Sequence, residues 1–138
     1  MKKQLLELLI LIVLTIGVFI TLPSSADIPV MTKEELKAIL GSPDLVIFDV
    51  RLGSDYFSSD LKIKGAVRPD MDAYVWHTAL RYPKGKIFVF YCASPNEERS
   101  VSNIKILREA GHEGYTKAYV LKGGWEEWVK ANYPTEKK

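Results

Sequence analysis

The fold class of this chain is predicted from two stretches, Leu45-Val46-Ile47-Phe48 and Ile87-Phe88-Val89-Phe90-Tyr91. Each is a continuous apolar run of strand length, the pattern of a strand that is buried on both faces. Segments with helical patterns lie between and around the two runs. Because buried strands that alternate with helices form parallel sheets, the sequence predicts an α/β fold with a mainly parallel sheet and helices on both faces.

The remaining predicted helices and strands extend over most of the chain. A capping box formed by Thr32 and Glu35 starts the first helix, which is expected to stop at Gly41. A longer helix is predicted at 97–110, where apolar residues recur at helical spacing. The other predicted elements are short: helices at 53–58, 71–80 and 125–131, and strands at 66–67 and 118–121.

The first 26 residues have the order of a secretory signal peptide. Lys2 and Lys3 precede an uncharged apolar run over residues 8–22, and small residues lead up to Ala26. The run is shorter than the roughly 20 residues that cross a bilayer, which favours cleavage after Ala26. The alternative is an uncleaved membrane anchor over residues 5–22. Either interpretation places the domain outside the cytoplasm, periplasmic or otherwise exported.

The composition is that of a single globular domain. The chain has 138 residues, 47% hydrophobic and 26% charged, and we place the domain at 28–133 with a polar tail at 134–138. Its 19 basic and 17 acidic residues give a net charge of +2, which predicts no nucleic-acid partner. The single cysteine, Cys92, excludes an intramolecular disulfide and a cysteine-cluster zinc site, and two histidines disfavour a His-rich metal site. No metal or cofactor is therefore predicted.

Cys92 is the candidate catalytic residue. It follows the apolar run 87–91 and precedes the predicted helix 97–110. In α/β sheets, ligands bind at the carboxyl ends of the strands, where loops lead into helix N-termini. Unpaired N–H groups and the positive end of the helix dipole stabilise a thiolate at such a position, which makes it nucleophilic. The alternative is a buried cysteine that acts only as a small hydrophobic residue.

Several separate motifs resemble the rhodanese-like (sulfurtransferase) domain family in order and spacing. The matching segments are the run 45–51 with Asp55-Tyr56, the turn 63–66, the strand leading into Cys92, and the segment 120–128. The resemblance covers about residues 45–131, nearly the whole predicted domain. It implies an α/β fold with a five-stranded, mainly parallel sheet and helices on both faces.

The resemblance also implies a reaction. Cys92 corresponds to the cysteine that takes sulfur from a donor such as thiosulfate or a persulfide and passes it to cyanide or a thiol. The protein partner is unknown. Asp49 and Arg51 match the family's Asp-x-Arg, which braces the framework or, alternatively, helps to anchor an anion. The loop after the cysteine is expected to bind the donor through backbone amides, at Ala93, Ser94, Asn96, Glu97, Glu98 and Arg99.

The loop departs from the common family pattern at Glu97, where many relatives have an arginine. A carboxylate beside Cys92 would disfavour the thiolate and repel an anionic donor, whereas a Glu97 that points away to cap the helix would be harmless. Arg99 is available as a compensating charge. A phosphatase is disfavoured because Glu98 stands where Cys-x5-Arg chemistry needs its arginine. A non-catalytic binding module in the cell envelope and a thiol redox sensor remain alternatives to the enzyme.

Overall fold

The computed structural model describes residues 28–70, 75–94, 96–110 and 114–138. The predicted signal peptide or anchor, the first half of the helix expected at 71–80, and Pro95 of the loop lie outside the described residues. Among the residues that are described, no helix is long and apolar enough to cross a membrane.

Six strands and five helices, numbered in chain order, make up the described part of the domain. The first helix begins with the predicted capping box, in which Thr32 Oγ1 accepts from the Glu35 N–H and the Glu35 carboxylate accepts from the Thr32 N–H. The strands are β1 (Val30–Met31), β2 (Leu45–Asp49), β3 (Leu61–Ile63), β4 (Ile87–Tyr91), β5 (Ala118–Leu121) and β6 (Thr135–Lys137). The helices are α1 (Lys33–Ala38), α2 (Gly53–Phe57), α3 (Val75–Ala79), α4 (Glu98–Glu109) and α5 (Gly124–Lys130).

The main sheet has four parallel strands in the order β1-β5-β4-β2. The two apolar runs that predicted the fold are its neighbouring strands β2 and β4, and their register pairs Asp49 with Tyr91. This register places the ends of both strands, and with them Arg51 and Cys92, at the same edge of the sheet.

The expected fifth strand of this sheet is reduced to a single parallel bridge between Phe48 and Val67. The Val67 N–H donates to the Ile47 carbonyl and its own carbonyl accepts from the Asp49 N–H. The next bond of a parallel ladder would need an N–H at position 69, which is proline. Nη1 of Arg68 donates to the Asp49 carbonyl instead, at 2.9 Å, so pairing stops there.

The C-terminal residues belong to the fold, which corrects the polar tail expected at 134–138. Strand β6 pairs antiparallel with β3, with Ile63 opposite Thr135. The pairing is strengthened by Glu136, whose carboxylate accepts from the Gly65 N–H at 2.9 Å. The folded domain therefore continues past Tyr133 to the end of the chain.

The sheet is covered by helices on both faces, as predicted. Successive residues of β4 alternate between two buried clusters: Phe88 and Phe90 face one side and Val89 and Tyr91 face the other. Helices α3 and α4 pack on the first side, and α1 and α5 pack on the second. Because alternation continues past the strand, Cys92 belongs to the side on which α4 packs.

Candidate active site

The backbone of Cys92 is held by the turn that joins β5 to α5. The Cys92 carbonyl accepts a hydrogen bond from the Trp125 N–H at 2.9 Å. Gly124 has φ of 52°, in the left-handed region, and a Cβ built on it would lie 2.2 Å from the Cys92 carbonyl oxygen. Only glycine fits this close approach, so the turn at Gly123-Gly124 supports the backbone of the loop at Cys92.

Cys92 lines a cavity of about 410 Å³. The residue is only 2% exposed, and its Sγ is 3.1 Å from the Ser94 hydroxyl oxygen. The hydroxyl can donate to the sulfur in its thiolate form. The residues that line the cavity are Leu52, Asp55, Cys92, Ala93, Ser94, Glu98, Arg99, Ser102, Asn103 and Ile106.

Four of the six loop residues predicted to bind substrate line this cavity: Ala93, Ser94, Glu98 and Arg99. Asn96 is exposed and does not. The Glu97 N–H donates to the Ser94 carbonyl at 3.1 Å and closes a turn within the loop. The amide of Glu97 is therefore engaged in that turn and is not directed at the sulfur.

Glu97 turns its carboxylate away from Cys92. Its backbone has φ of 50°, and its Oε1 accepts from the Gly123 N–H at 2.8 Å. Glu97 lines a second groove, together with Gly123 and residues of α1, and does not line the cysteine cavity. Glu97 is the N-cap residue of α4 but makes no side-chain capping bond. The structure therefore has neither of the two orientations left open by the sequence: the carboxylate does not line the cysteine cavity, and it binds the Gly123 N–H instead of capping α4.

The Asp49–Arg51 pair is fully buried and lies outside the cavity. The guanidinium donates from Nε to Oδ1 at 2.9 Å and from Nη2 to Oδ2 at 2.6 Å. It also packs over the Trp125 ring, with Cζ 4.1 Å from the ring centroid. Burial, followed by the charge of Asp49, raises the pKa of Tyr91 well above its ordinary value of 10.0. This geometry supports the bracing role, because the charges of the pair face each other and Arg68, whose Nη1 lies 3.8 Å from Asp49 Oδ1, and do not face the cavity.

Arg68 completes this framework and was not identified from the sequence. Its Nη1 donates to the carbonyls of Asp49 and Arg51 at 2.9 and 2.6 Å, and its guanidinium packs over Tyr56. An arginine beside a proline carries no local signal for this role. Pro69 has no N–H to donate to the Asp49 carbonyl, and Arg68 supplies the hydrogen bond that this buried carbonyl needs.

Glu98 and Arg99 are the only residues of α4 in the cavity lining that were predicted from the sequence, and the residues from α2 and from the rest of α4 were not predicted. Arg99, Asn103 and Ile106 recur along α4 at helical spacing, next to the buried positions Ser100, Ile104 and Leu107. This periodicity was available from the sequence and would have predicted the lining face. Leu52 and Asp55, in contrast, reach the cavity only because β2 and β4 end side by side.

The described residues contain no group of three or more His, Cys, Asp or Glu side chains placed to hold a metal ion. The arrangement that they do contain is a buried cysteine with one hydroxyl neighbour, in the wall of a cavity that the first residues of a 12-residue helix also line. Such an arrangement is suited to a nucleophilic thiolate, since the dipole of a helix favours negative charge at its N-terminus.

Comparisons with known proteins agree with this geometry. The family model for the rhodanese-like domain matches residues 32–131. A comparison with curated proteins gives no match. The rhodanese-like domain of a protein from Anabaena is 30% identical, with 80% of each chain covered and a TM-score of 0.62.

Two more distant structures share the fold. A protein from Bacillus halodurans is 22% identical over 79% of this chain and 77% of its own, with a TM-score of 0.64. A thiosulfate sulfurtransferase from Pseudomonas aeruginosa is also 22% identical, with a TM-score of 0.61. The match covers 83% of this chain but only 20% of the Pseudomonas chain.

Proposed function

The chain belongs to the rhodanese-like domain family, and we propose that it is a sulfurtransferase that carries sulfane sulfur on Cys92. The observation that carries the proposal is the position of Cys92 Sγ. It lines an open cavity, 3.1 Å from the Ser94 hydroxyl, where the loop runs into α4. Cys92 is proposed to react as the thiolate, the nucleophilic form of a cysteine, with a small donor bound in this cavity.

In the first half of the reaction, the Cys92 thiolate attacks the outer sulfur of the donor. A bond forms between the two sulfurs, and the bond from the outer sulfur to the rest of the donor breaks. The leaving group takes the electron pair of the broken bond: sulfite leaves from thiosulfate, and a thiolate leaves from a persulfide. Cys92 is then a persulfide.

In the second half, an acceptor thiolate or cyanide attacks the terminal sulfur of that persulfide. The sulfur–sulfur bond breaks and returns its electron pair to Cys92, which restores the thiolate. The products are an acceptor persulfide or thiocyanate. The Ser94 hydroxyl and the N-terminus of α4 stabilise the negative charge on sulfur at each stage.

The test is sulfur transfer by the purified protein with thiosulfate, polysulfide or a small persulfide as donor and cyanide as acceptor. We expect thiocyanate to form with at least one donor and Cys92→Ser to abolish it. Transfer by Cys92→Ser at the wild-type rate would overturn the proposal, as would the absence of transfer with every donor. A cellular role that survives Cys92→Ser would support the alternative, a binding module without turnover.

We further propose that the domain acts outside the cytoplasm. The support is the order of residues 1–26, in which a basic start, an apolar run and small residues follow one another. Fractionation of cells that express the full chain tests this, with N-terminal sequencing of the product. A chain that begins at Asp27 indicates cleavage, an intact chain in the membrane fraction indicates an anchor, and an intact cytoplasmic chain contradicts export.

A further inference from the structure

The charged side chains around the Cys92 cavity have an acidic excess. Asp55 and Glu98 are acidic, and Arg99 is basic. The remaining polar lining residues, Ser94, Ser102 and Asn103, are neutral. Glu97, the acidic residue singled out by the sequence, does not line this cavity: its carboxylate accepts from the Gly123 N–H, and the residue lines a second groove.

Arg99 is not paired with either of the two carboxylates. In the part of the chain that the structure describes, no salt bridge joins Arg99 to Asp55 or to Glu98. The side chains therefore sum to about one negative charge, which the dipole of α4 offsets by roughly half a unit. The Cys92 thiolate, or the persulfide that replaces it, adds a further negative charge. The cavity is thus electronegative at every stage of sulfur transfer.

An electronegative cavity disfavours a dianion such as thiosulfate and attracts a positive group. The cavity can also contact the apolar carbon atoms of a ligand, since Leu52 and Ile106 line it and are 47% and 40% exposed. A volume of about 410 Å³ admits a small organic molecule. A short carbon chain that carries both a thiol and an ammonium group fits all three features.

We propose that Asp55 and Glu98 are specificity-determining residues that select an aminothiol, or its persulfide, over thiosulfate and over anionic thiols. This inference rests on the proposed sulfurtransferase reaction. The ammonium group of the ligand lies toward the two carboxylates while its sulfur reaches Cys92. Each carboxylate is expected to contribute about two- to fivefold to the preference, the range that is typical of solvent-accessible charge pairs.

The first measurement does not depend on sulfur transfer. Cys92 is modified with two methanethiosulfonates of similar size, one with a 2-aminoethyl group and one with a 2-sulfonatoethyl group. In each reaction the thiolate attacks the sulfenyl sulfur, a mixed disulfide forms, and methanesulfinate leaves. We expect the ratio of the cationic to the anionic rate to exceed the ratio for free cysteine severalfold, and to fall about two- to fivefold in each of Asp55→Asn and Glu98→Gln.

Glu109→Gln is the matched control, because Glu109 is exposed at the opposite end of α4 and does not line the cavity. It is expected to leave the ratio unchanged. Added salt should reduce the wild-type ratio, since the charges are partly screened. A wild-type ratio equal to that of free cysteine, or a ratio that neither Asp55→Asn nor Glu98→Gln alters, would overturn the proposal.

The second measurement uses the reaction itself. Protein loaded with sulfur on Cys92 is offered cysteamine, 2-mercaptoethanol or thioglycolate, which are positive, neutral and negative thiols of similar size. Cysteamine also has the most acidic thiol of the three, so the comparison is between proteins: we expect the preference for cysteamine over thioglycolate to be smaller in the Asp55→Asn, Glu98→Gln double variant than in wild type. An unchanged preference in the double variant, or a wild-type preference for thioglycolate, would contradict the selectivity. Failure to load Cys92 would count against the proposed function, while the methanethiosulfonate ratio would still decide the selectivity.

Discussion

The Glu97 carboxylate accepts a hydrogen bond from the Gly123 N–H at 2.8 Å and so ties the cysteine loop to the turn before α5. The same turn binds the loop at Cys92, through the Trp125 N–H. Two hydrogen bonds thus fix the loop, one at each end. From the sequence alone, the Glu97 carboxylate was expected to disfavour the thiolate if it lay beside Cys92. In the structure, the Glu97 carboxylate instead supports the backbone of the loop through its bond to Gly123.

We predict that Glu97→Ala lowers the free energy of unfolding by about 1 kcal/mol, the usual contribution of such a hydrogen bond, while Glu97→Gln loses less. Glutamine keeps an oxygen that can accept from Gly123. Alanine and glutamate suffer the same backbone penalty at a φ of 50°, and Glu97→Gln removes the charge beside the N-terminus of α4 while it keeps the bond, so the two variants separate the bond from the charge. Urea unfolding of the three proteins measures it, and equal stability of Glu97→Ala and wild type would contradict the supporting role.

Gly124→Ala is predicted to disturb the site from the other side. The added methyl group would meet the Cys92 carbonyl oxygen, and the alanine backbone would have to adopt a positive φ. We therefore expect the free energy of unfolding to fall by about 1–3 kcal/mol and Cys92 to be alkylated more slowly. Gly85→Ala is the control, since Gly85 has open space around its Cα. If both variants unfold at the same urea concentration, the close contact does not constrain the loop.

The buried Asp49–Arg51 pair predicts a large effect of removing one partner. Arg51→Met leaves the Asp49 carboxylate buried without its guanidinium, and we expect a cost of about 3–5 kcal/mol in unfolding free energy. Arg51→Lys should restore only part of the loss, because lysine cannot make the two parallel bonds. Lys33→Met, which removes the more exposed ion pair with Glu127, serves as the control with little expected change. A small loss for Arg51→Met would show that the pair does not brace the framework.

A pH dependence is predicted at the second sheet. The bond from the Gly65 N–H lowers the pKa of Glu136 below its ordinary value of 4.5. Since the folded pKa is the lower one, the contribution of Glu136 to stability is complete above the ordinary value and is lost as the pH falls through the folded pKa. Wild type should therefore lose more stability than Glu136→Gln between pH 7 and strongly acidic pH. Parallel losses in urea titrations of the two proteins would contradict the bond.

The fold was predictable because its signals are local and repeated. The two apolar runs became adjacent parallel strands, and the capping box and the helix after Cys92 lie where the sequence placed them. The exceptions come from single contacts between distant residues. Pro69 ends the expected fifth strand after one bridge, and Leu61–Ile63 gives the last residues a partner that no local pattern reveals.

The candidate site was predictable in its nucleophile but not in its surroundings. The position of Cys92 after a buried strand follows from the chain order alone. The direction of the Glu97 side chain does not, because it depends on Gly123, 26 residues further along the chain. Asp55 joins the cavity for a similar reason, since the pairing of β2 with β4 brings α2 beside the cysteine loop.

The proposed reaction requires that Cys92 becomes a persulfide, and intact-protein mass spectrometry detects this change. Wild type and Cys92→Ser are each incubated with a small persulfide or with polysulfide, then treated with a thiol acceptor. We predict a gain of one sulfur atom that maps to Cys92, is absent from Cys92→Ser, and disappears when the acceptor is added. A wild-type mass that no donor changes would contradict the proposed reaction.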